Sequence, residues 1–586
     1  MAGTHVVSFG IRATATARRG LLGFSLRRAD GDGDPEPVLG YKVFQSLTPR
    51  PSPRTKVDTW DHPVQSLIWD DFYARPGKTY HYWFYPFRGT PQDPQRGKPV
   101  TITVCTEPAS GGVHDVYFNR GVTGSQSYAI RFDNLPPEKQ PSPKKRAEAY
   151  EWLSRNLDEA LLEFIDGAQP GDKLRGCFYE FTYGKALSRF TAAHRRGVDV
   201  RLIVDMKENE HYIKTRKSKP LPVPLLVPSS PREHNLHAIR KARLPKSCLT
   251  FREARKDDIQ HNKFLVLVRG GRPIKVWTGS TNLTDGGIFG QANVGHVVRD
   301  GGAAGAFLDY WTLLSGDPGG PTSAVKNADN VAFRRAVDEL SPLPKSRDDI
   351  PVGVTPIFSP RSSLDALDLY CTLLAHARRL SCGTFPFTLD RSWREPLVDG
   401  GRNGRLCYLL LDKPDRTKPT KDHPEPVITL DSTSHVYQAY GSELGTPLGQ
   451  WIAETNNIEL SLNQWVSYIH LKFILSDPLG ADPIVVTGSA NFSRASTLEN
   501  DENMLLIRGD RRVADIYFTE FNRMWGHYYF RSVVERTQRD LKRRTPTLSR
   551  GEGRQFLSES PAGWLSNYEP GDLRTKRVNQ YLAMAL

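Results

Sequence analysis

The chain has 586 residues, of which 38% are hydrophobic, 10% aromatic and 25% charged. This length exceeds what one hydrophobic core supports, and the composition is too apolar for a disordered chain, so we expect several folded domains. An excess of 79 Lys and Arg over 65 Asp and Glu gives a net charge of +14, which favours an anionic partner such as nucleic acid, phospholipid headgroups or another phosphate compound.

The six cysteines are scattered, form no CxxC pair and have no histidine partners at zinc spacing, so neither a disulfide scaffold nor a zinc site is predicted. The first twenty residues lack the continuous apolar stretch of a signal peptide, and no window reaches the roughly 18 apolar residues of a spanning helix. We therefore expect a cytoplasmic protein without a transmembrane segment.

Residues 1–107 contain short strand patterns separated by turns, which predicts an all-β sandwich. A turn at Pro76 and Gly77 leads into a strand with alternating aromatic residues, and this segment resembles the corresponding strand of fibronectin type III domains. Such domains act as spacers or as docking surfaces for a protein partner, so we assign this domain no chemistry.

A break rich in Gly, Pro and Ser at 107–112 ends the first domain, and strand patterns then alternate with helical ones. A helical pattern spans 147–168, and strand patterns at 173–182 and 198–206 flank a second helical pattern at 186–197. This alternation predicts an α/β domain with a parallel or mixed sheet.

A basic, proline-rich segment at 214–235 precedes the motif described next. Its composition predicts an irregular surface loop of the kind that often borders a site, although a tolerated insertion explains it equally well.

The second half of the chain repeats the first. The helix and strand order recurs at 364–388 and 405–413, and residues 260–287 match residues 469–496 without a gap. The repeat predicts two α/β domains packed as a pseudo-twofold pair, 113–342 and 345–586, the second with a C-terminal extension. One chain would then form a complete site without dimerising.

Each copy carries the same polar residues at the same spacing. A His and a Lys stand two positions apart on a predicted strand and so point to one face, and a Gly-Ser-x-Asn turn follows with its Asn 21 positions after the His. Lysines, amides, hydroxyls and backbone N–H groups of this kind suit a phosphoryl group on which negative charge builds. The candidates are His261, Lys263, Ser280 and Asn282 in the first copy and His470, Lys472, Ser489 and Asn491 in the second.

The pattern resembles the HKD signature of the phospholipase D superfamily. The second copy has its full form, with Asp477 five positions after Lys472, whereas the first copy has Val268 at that position. We interpret the aspartate as a structural residue that packing can replace, with decay of the first copy as the alternative. The resemblance implies a phosphodiesterase in which one His forms a phosphohistidine intermediate and the other protonates the leaving oxygen.

Members of this superfamily commonly place a carboxylate eleven positions after the motif Asn, where it orients the catalytic His. Glu502 occupies this position in the second copy and Asn293 in the first. We infer that this carboxylate orients His470, the His of its own copy, and keeps it protonated as the general acid. The amide would leave His261 neutral as the nucleophile.

The lysines make a divalent cation unnecessary, and no Asp/Glu cluster has magnesium or calcium spacing, so we predict activity without metal or cofactor. Motif and fold leave the substrate open. The charge favours a nuclease acting on DNA or RNA. A phospholipase D acting on glycerophospholipids remains the alternative, since 221–231 resembles a membrane-facing loop, and a weakly catalytic nucleic-acid-binding component of a larger assembly is the third.

Overall fold

The computed structural model describes residues 1–52, 55–121, 125–216, 219–255, 258–320, 328–413, 428, 430, 433–441, 468–544 and 556–583. The chain divides into two compact units. The terminal unit contains residues 1–109, 479–481 and 511–586, and the repeat unit contains residues 110–478 and 482–510. The sequence assigns residues 345–586 to the second α/β domain and its C-terminal extension, and that boundary stays a prediction.

The terminal unit contains nine short strands and four helices among its described residues. The strands are β1 (Val7–Gly10), β2 (Gly23–Asp30), β3 (Glu36–Pro37), β4 (Leu39–Gly40), β5 (Val57–Asp58), β6 (Ile68–Asp71), β7 (Thr79–Gly89), β8 (Pro94–Arg96) and β9 (Val100–Cys105). One sheet has the order β3-β2-β7-β8 with β9 also paired to β7, and β1-β6 and β4-β5 are separate pairs. The helices are Ala15–Arg18, Arg511–Arg544, Pro561–Leu565 and Leu573–Leu582.

The core of the terminal unit joins strands to C-terminal helices. Tyr80 and Tyr82 alternate with more exposed residues along β7 and face the same hydrophobic cluster as Trp564 and Tyr568. The Trp564 indole donates a hydrogen bond of 2.9 Å to the carbonyl of Leu21. Because helical aromatics complete this core, the unit is more than strands alone, and the β-sandwich and its fibronectin type III-like character remain predictions.

The repeat unit contains two seven-stranded mixed sheets. The first has the order β10-β18-β17-β16-β11-β12-β15 and the second the order β19-β25-β24-β23-β20-β21-β22. The strands are β10 (His114–Phe118), β11 (Lys173–Phe178), β12 (Asp199–Asp205), β15 (Leu249–Arg252), β16 (Lys263–Arg269), β17 (Arg272–Gly279), β18 (Val294–Val298), β19 (Gly353–Ser359), β20 (Leu380–Phe385), β21 (Leu406–Leu411), β22 (Val436–Tyr440), β23 (Phe473–Ser476), β24 (Ile484–Gly488) and β25 (Glu502–Arg508).

Corresponding strands pair in the same sense in the two sheets. The last two pairings of each order are parallel and the other four are antiparallel. Two repeats with mixed sheets are therefore confirmed, while the pseudo-twofold arrangement stays a prediction.

Helices cover both sheets, and each repeat has its own hydrophobic core. The helical pattern predicted over 147–168 is divided in two, because Arg155 and Asn156 adopt left-handed φ values of 49° and 73°. No described helix is both long enough and apolar enough to cross a bilayer. The helices are Ser125–Phe132, Pro143–Ser154, Leu157–Asp166, Gly184–Arg195, Arg232–Ala242, Gly301–Ser315, Ala328–Leu340, Asp365–Ala375, Arg394–Arg402 and Arg494–Leu498.

The proline-rich segment is not an irregular loop over its described residues. It forms an antiparallel hairpin of β13 (His211–Arg216) and β14 (Lys219–Val227), with a register shift near Ile213. The prolines of β14 alternate at positions 220, 222 and 224, so their missing N–H groups all fall on one edge of the strand. A strand with one free edge tolerates that pattern, which composition alone did not reveal.

Candidate active site

The two motif strands bring the repeats into direct backbone contact. Gln260 forms a parallel bridge with Asp501, and Ala292 forms one with Ile469, so each His-containing segment pairs with a segment of the other repeat. The backbone N–H of His261 donates to Asp501 O at 2.9 Å. Both motifs therefore meet at one place, as the repeat predicts.

The hydrogen bonds of the two histidines cross between the repeats. His261 Nδ1 lies 2.9 and 3.0 Å from the carboxylate oxygens of Glu502, and His470 Nδ1 lies 2.9 Å from Asn293 Oδ1. The expectation that each His is oriented by the group of its own copy is therefore wrong. Because Nδ1 is engaged in both rings, Nε2 is the nitrogen of each that is available for chemistry.

Burial dominates the electrostatics of these groups. It lowers the pKa of both histidines well below the usual value, and the neighbouring Lys263 and Lys472 lower these pKa values further. Burial also raises the pKa of the Glu502 carboxyl to about 7. Burial thus disfavours the charged form of both the carboxyl and the imidazole that share this hydrogen bond.

The lysines lie beside the histidines, as the two-residue spacing predicts. Each ammonium donates a 2.7 Å hydrogen bond to the carbonyl of the His two positions earlier, Lys263 to His261 and Lys472 to His470. Burial lowers the pKa of Lys263 to about 8, and burial together with the charge of Lys263 lowers the pKa of Lys472. An anion entering the site would reverse both shifts, so the lysines favour phosphate binding.

The motif serines have a different role from the one expected. Ser280 Oγ donates to Asn293 Oδ1 at 2.8 Å, and Ser489 Oγ donates to a Glu502 oxygen at 2.6 Å. Their hydroxyls thus fix the groups that orient the histidines rather than converging on a phosphate. The glycine before each serine is required by close packing, since a Cβ at Gly279 would lie 2.2 Å from Val294 O.

Asp477 braces a loop. Its carboxylate accepts hydrogen bonds from the backbone N–H groups of Arg378 and Arg379 at 2.9 and 2.8 Å, and Arg347 lies 3.3 Å away. In the first repeat the loop residue Asp172 performs the comparable task by accepting from Arg269. These contacts support the structural interpretation of the position that Val268 occupies in the first copy.

The motif asparagines are in place, and the first has an acidic neighbour that sequence reasoning missed. Asn282 Nδ2 donates a close hydrogen bond to Glu180, whereas the Oδ1 atoms of Asn282 and Asn491 have no protein partner among the described residues. Tyr179 packs edge-on against His261, with ring centroids 5.2 Å apart. Tyr179 and Glu180 directly follow β11, the strand beside β16, and that adjacency is the signal that could have found them.

Within the described residues no group of three or more His, Cys, Asp or Glu side chains is arranged to hold a metal ion. The polar groups of the site are instead two ammonium groups, two imidazoles, amides and carboxylates.

A family model described as "Cardiolipin synthase, PLD-like domain" matches residues 161–310 and 370–525, just over half of the chain. A mitochondrial cardiolipin hydrolase from Xenopus tropicalis is 30% identical over 134 residues, which are 22% of this chain and 59% of that protein. The chain thus spans less than two thirds of that relative.

Two solved structures are also similar. Phosphatidylserine synthase from Haemophilus influenzae matches with 12% identity and a TM-score of 0.38, over 67% of this chain and 92% of that one. The phospholipase D family member Nuc from Salmonella typhimurium matches with 18% identity and a TM-score of 0.21, over 30% of this chain and 94% of that one. On the family match across both repeats, this chain belongs to the phospholipase D superfamily of phosphodiesterases.

Proposed function

We propose that this phosphodiesterase is metal-independent, that it works through a phosphohistidine intermediate, and that its substrate is DNA or RNA. The observation that carries the chemistry is the crossed pairing of two buried histidines, each with Nδ1 engaged and a lysine beside it. A site of this kind offers a nucleophile, an acid and two positive charges around one phosphorus atom.

His261 is the proposed nucleophile, for a reason other than the one read from the sequence. When Nε2 bonds to phosphorus while Nδ1 keeps its proton, the ring becomes positively charged. Glu502, hydrogen-bonded to His261, stabilises that charge as it develops. The partner of His470 is the neutral amide of Asn293, which fixes the ring without weakening it as an acid.

The proposed reaction has two steps. In the first, His261 Nε2 attacks phosphorus, the bond to the leaving oxygen breaks, and His470 Nε2 gives its proton to that oxygen. In the second, His470 removes a proton from water, the resulting hydroxide attacks phosphorus, and the P–N bond breaks with its electron pair returning to His261. Lys263 and Lys472 stabilise the charge on the phosphoryl oxygens in both steps.

The charge of the chain supports nucleic acid as the substrate. The net charge is +14, and helix Pro143–Ser154 begins with the basic residues Lys144, Lys145 and Arg146. Tyr150 of the same helix packs against Phe289, with ring centroids 4.6 Å apart. Phe289 lies in the segment Gly286–Gly290, which follows the first motif. A phospholipid substrate is the second candidate, because the Xenopus relative is named a cardiolipin hydrolase.

The test is to incubate the wild type and His261→Ala in EDTA with labelled single- and double-stranded DNA, RNA, and vesicles of phosphatidylcholine or cardiolipin. We expect cleavage of nucleic acid by the wild type alone, at an unchanged rate in EDTA. Cleavage of vesicles alone would refute the nuclease proposal. Inactivity in EDTA that magnesium or calcium restores would refute metal independence.

The same variant examines the third alternative, a protein that only binds nucleic acid. His261→Ala should lose cleavage while retaining salt-dependent binding of the same oligonucleotides. The binding role would instead be supported if the wild type cleaves none of the substrates and its affinity for the oligonucleotides falls steeply as the salt concentration rises.

A further inference from the structure

Tyr179 carries a hydroxyl on a ring that contacts both reactive groups of the first motif. The ring packs edge-on against the His261 ring, with centroids 5.2 Å apart, and the Lys263 ammonium lies 5.6 Å from the centroid of the same tyrosine ring. Backbone hydrogen bonds hold the residue, since its N–H donates to Asn262 O at 3.2 Å and its carbonyl accepts from Asn235 Nδ2 at 2.9 Å. The phenol is therefore fixed beside the imidazole that would bond to phosphorus.

The Tyr179 hydroxyl has no hydrogen-bond partner within the part of the chain that the structure describes, and its side chain is partly exposed. Other tyrosines of the first repeat have such a partner. The Tyr128 hydroxyl donates to Leu135 O at 2.7 Å. The Tyr183 hydroxyl donates to Asp158 Oδ1, also at 2.7 Å. Because tyrosine hydroxyls in a folded interior are normally paired, we expect the partner of Tyr179 to be a group that enters the site.

The environment of Tyr179 keeps its hydroxyl protonated. Burial and the charges of Glu180, Asp205 and Glu502 raise the pKa of Tyr179 well above its usual value. The phenol is therefore a neutral donor at any working pH and not a base. A neutral O–H group beside an ammonium group suits an oxygen on which negative charge builds, because it adds a hydrogen bond without a proton transfer.

This donor is present in one repeat only. The strand partner of the residue three positions after the motif His is Cys177 in the first sheet and Thr384 in the second. Tyr179 and Pro386 follow these residues by two positions, so the second repeat has a proline, which carries no hydroxyl, at the matching register. A single hydroxyl donor can serve only one of the two non-bridging oxygens of a phosphodiester.

We propose that Tyr179 is a further catalytic residue, whose hydroxyl donates a hydrogen bond to one non-bridging oxygen of the phosphoryl group during its transfer to and from His261. The inference rests on the two-step reaction proposed above, and it holds for a nucleic acid and for a phospholipid alike. The hydrogen bond strengthens as charge builds on that oxygen, so its loss should lower kcat more than it raises KM.

The first test removes the hydroxyl and keeps the ring. With methyl p-nitrophenyl phosphate as the substrate, Tyr179→Phe should lower kcat by about tenfold to a hundredfold, the range for a hydrogen bond to a charged group. Its Tm should equal that of the wild type, because the substitution removes no hydrogen bond among the described residues. Tyr73→Phe, which removes an exposed hydroxyl in the terminal unit, is the matched control and should change neither value.

The outcomes separate the role of Tyr179 from the reaction itself. An active wild type and a Tyr179→Phe variant with the same kcat would overturn the role of Tyr179 alone. A loss of kcat accompanied by a lower Tm would also overturn it, because the residue would then act through packing. A wild type that is inactive on this diester would overturn the proposed reaction and the role of Tyr179 with it.

The second test asks whether the hydroxyl acts on one particular oxygen. Sulfur accepts hydrogen bonds poorly, so the methyl p-nitrophenyl phosphorothioate isomer with sulfur at the contacted position lacks this hydrogen bond already in the wild type. Tyr179→Phe should lower kcat/KM by less than about threefold on that isomer, Rp or Sp, and by about tenfold or more on the other. Equal losses on the two isomers would overturn the proposal.

Discussion

The two repeats share one sheet order and one set of reactive residues but differ in the residues that support them. The orienting group is Asn293 in the first repeat and Glu502 in the second, and the loop-bracing carboxylate Asp477 has Val268 as its counterpart. Both motifs contain the same His and Lys because, in the proposed mechanism, each motif places an imidazole and an ammonium group next to one phosphate. In the proposed mechanism the two histidines have opposite tasks, one gaining positive charge as the other gives up a proton, and this would account for the different supporting residues.

Replacing each catalytic His gives the largest expected effect and tests whether the tasks are opposite. His261→Ala and His470→Ala should each lower kcat/KM on a nucleic acid by about 10⁴-fold or more. With bis-p-nitrophenyl phosphate, whose leaving group needs no proton, His470→Ala should recover about a hundredfold of its loss, because it lacks only the acid. His261→Ala should recover nothing.

The comparison fails if the recovery appears in His261→Ala instead. Trapping gives independent evidence, since denaturation at alkaline pH, which preserves the acid-labile P–N bond, should yield a labelled phosphoenzyme from His470→Ala and none from His261→Ala. The opposite labelling pattern would exchange the two roles.

The next test replaces, one at a time, the side chains that orient the two histidines. Glu502→Gln should lower kcat/KM by about 10- to 100-fold, because the charge developing on His261 loses its stabilising partner. Asn293→Asp should act mainly on the pH profile. The acid works only while protonated, so the rate falls as pH rises through the pKa of His470, which burial and Lys472 lower.

A carboxylate at position 293 raises the pKa of His470, so the alkaline limb should move upward by about one pH unit. The measurement is kcat/KM against pH for both variants and the wild type. An alkaline limb that moves in Glu502→Gln and stays fixed in Asn293→Asp would contradict the crossed pairing.

Removing the loop brace should have the smallest effect on catalysis. Asp477→Ala deletes hydrogen bonds to two backbone N–H groups and a contact with Arg347, so the free energy of unfolding should fall by about 2 to 4 kcal/mol. Below the unfolding transition, kcat/KM should stay within about threefold of the wild type. Chemical denaturation and steady-state kinetics on the same preparation provide both values.

The matching change in the first repeat, Val268→Asp, should also destabilise, because a carboxylate would be buried there. A variant at position 477 with normal stability and a hundredfold loss of kcat/KM would show that the aspartate acts on the chemistry. The structural interpretation would then be wrong for both repeats.

Local patterns were sufficient to predict much of the site. The strand period predicted that each Lys lies on the same face as its His, although His261, His470 and Lys472 come just before their strands. The equal spacing in two copies predicts two similar sheets, which the strand orders confirm. The hairpin at 211–227 was missed because proline content was weighed without its alternation along the strand. The boundary of the second α/β domain and its C-terminal extension stays a prediction, since helical periodicity shows an apolar face but not what covers it.

From the sequence alone we obtained the candidate reactive residues and their repetition, because both depend on spacing along the chain within one motif. The partner of each histidine was decided only by the tertiary structure. Glu502 lies 241 residues from His261 and Asn293 lies 177 residues from His470, whereas the nearer candidates by sequence orient the other ring. Which ring meets which group depends on how the ends of two sheets meet, and no local pattern encodes that contact. The sequence showed that one repeat has Asn293 where the other has Glu502, but only the fold showed which histidine each of them contacts.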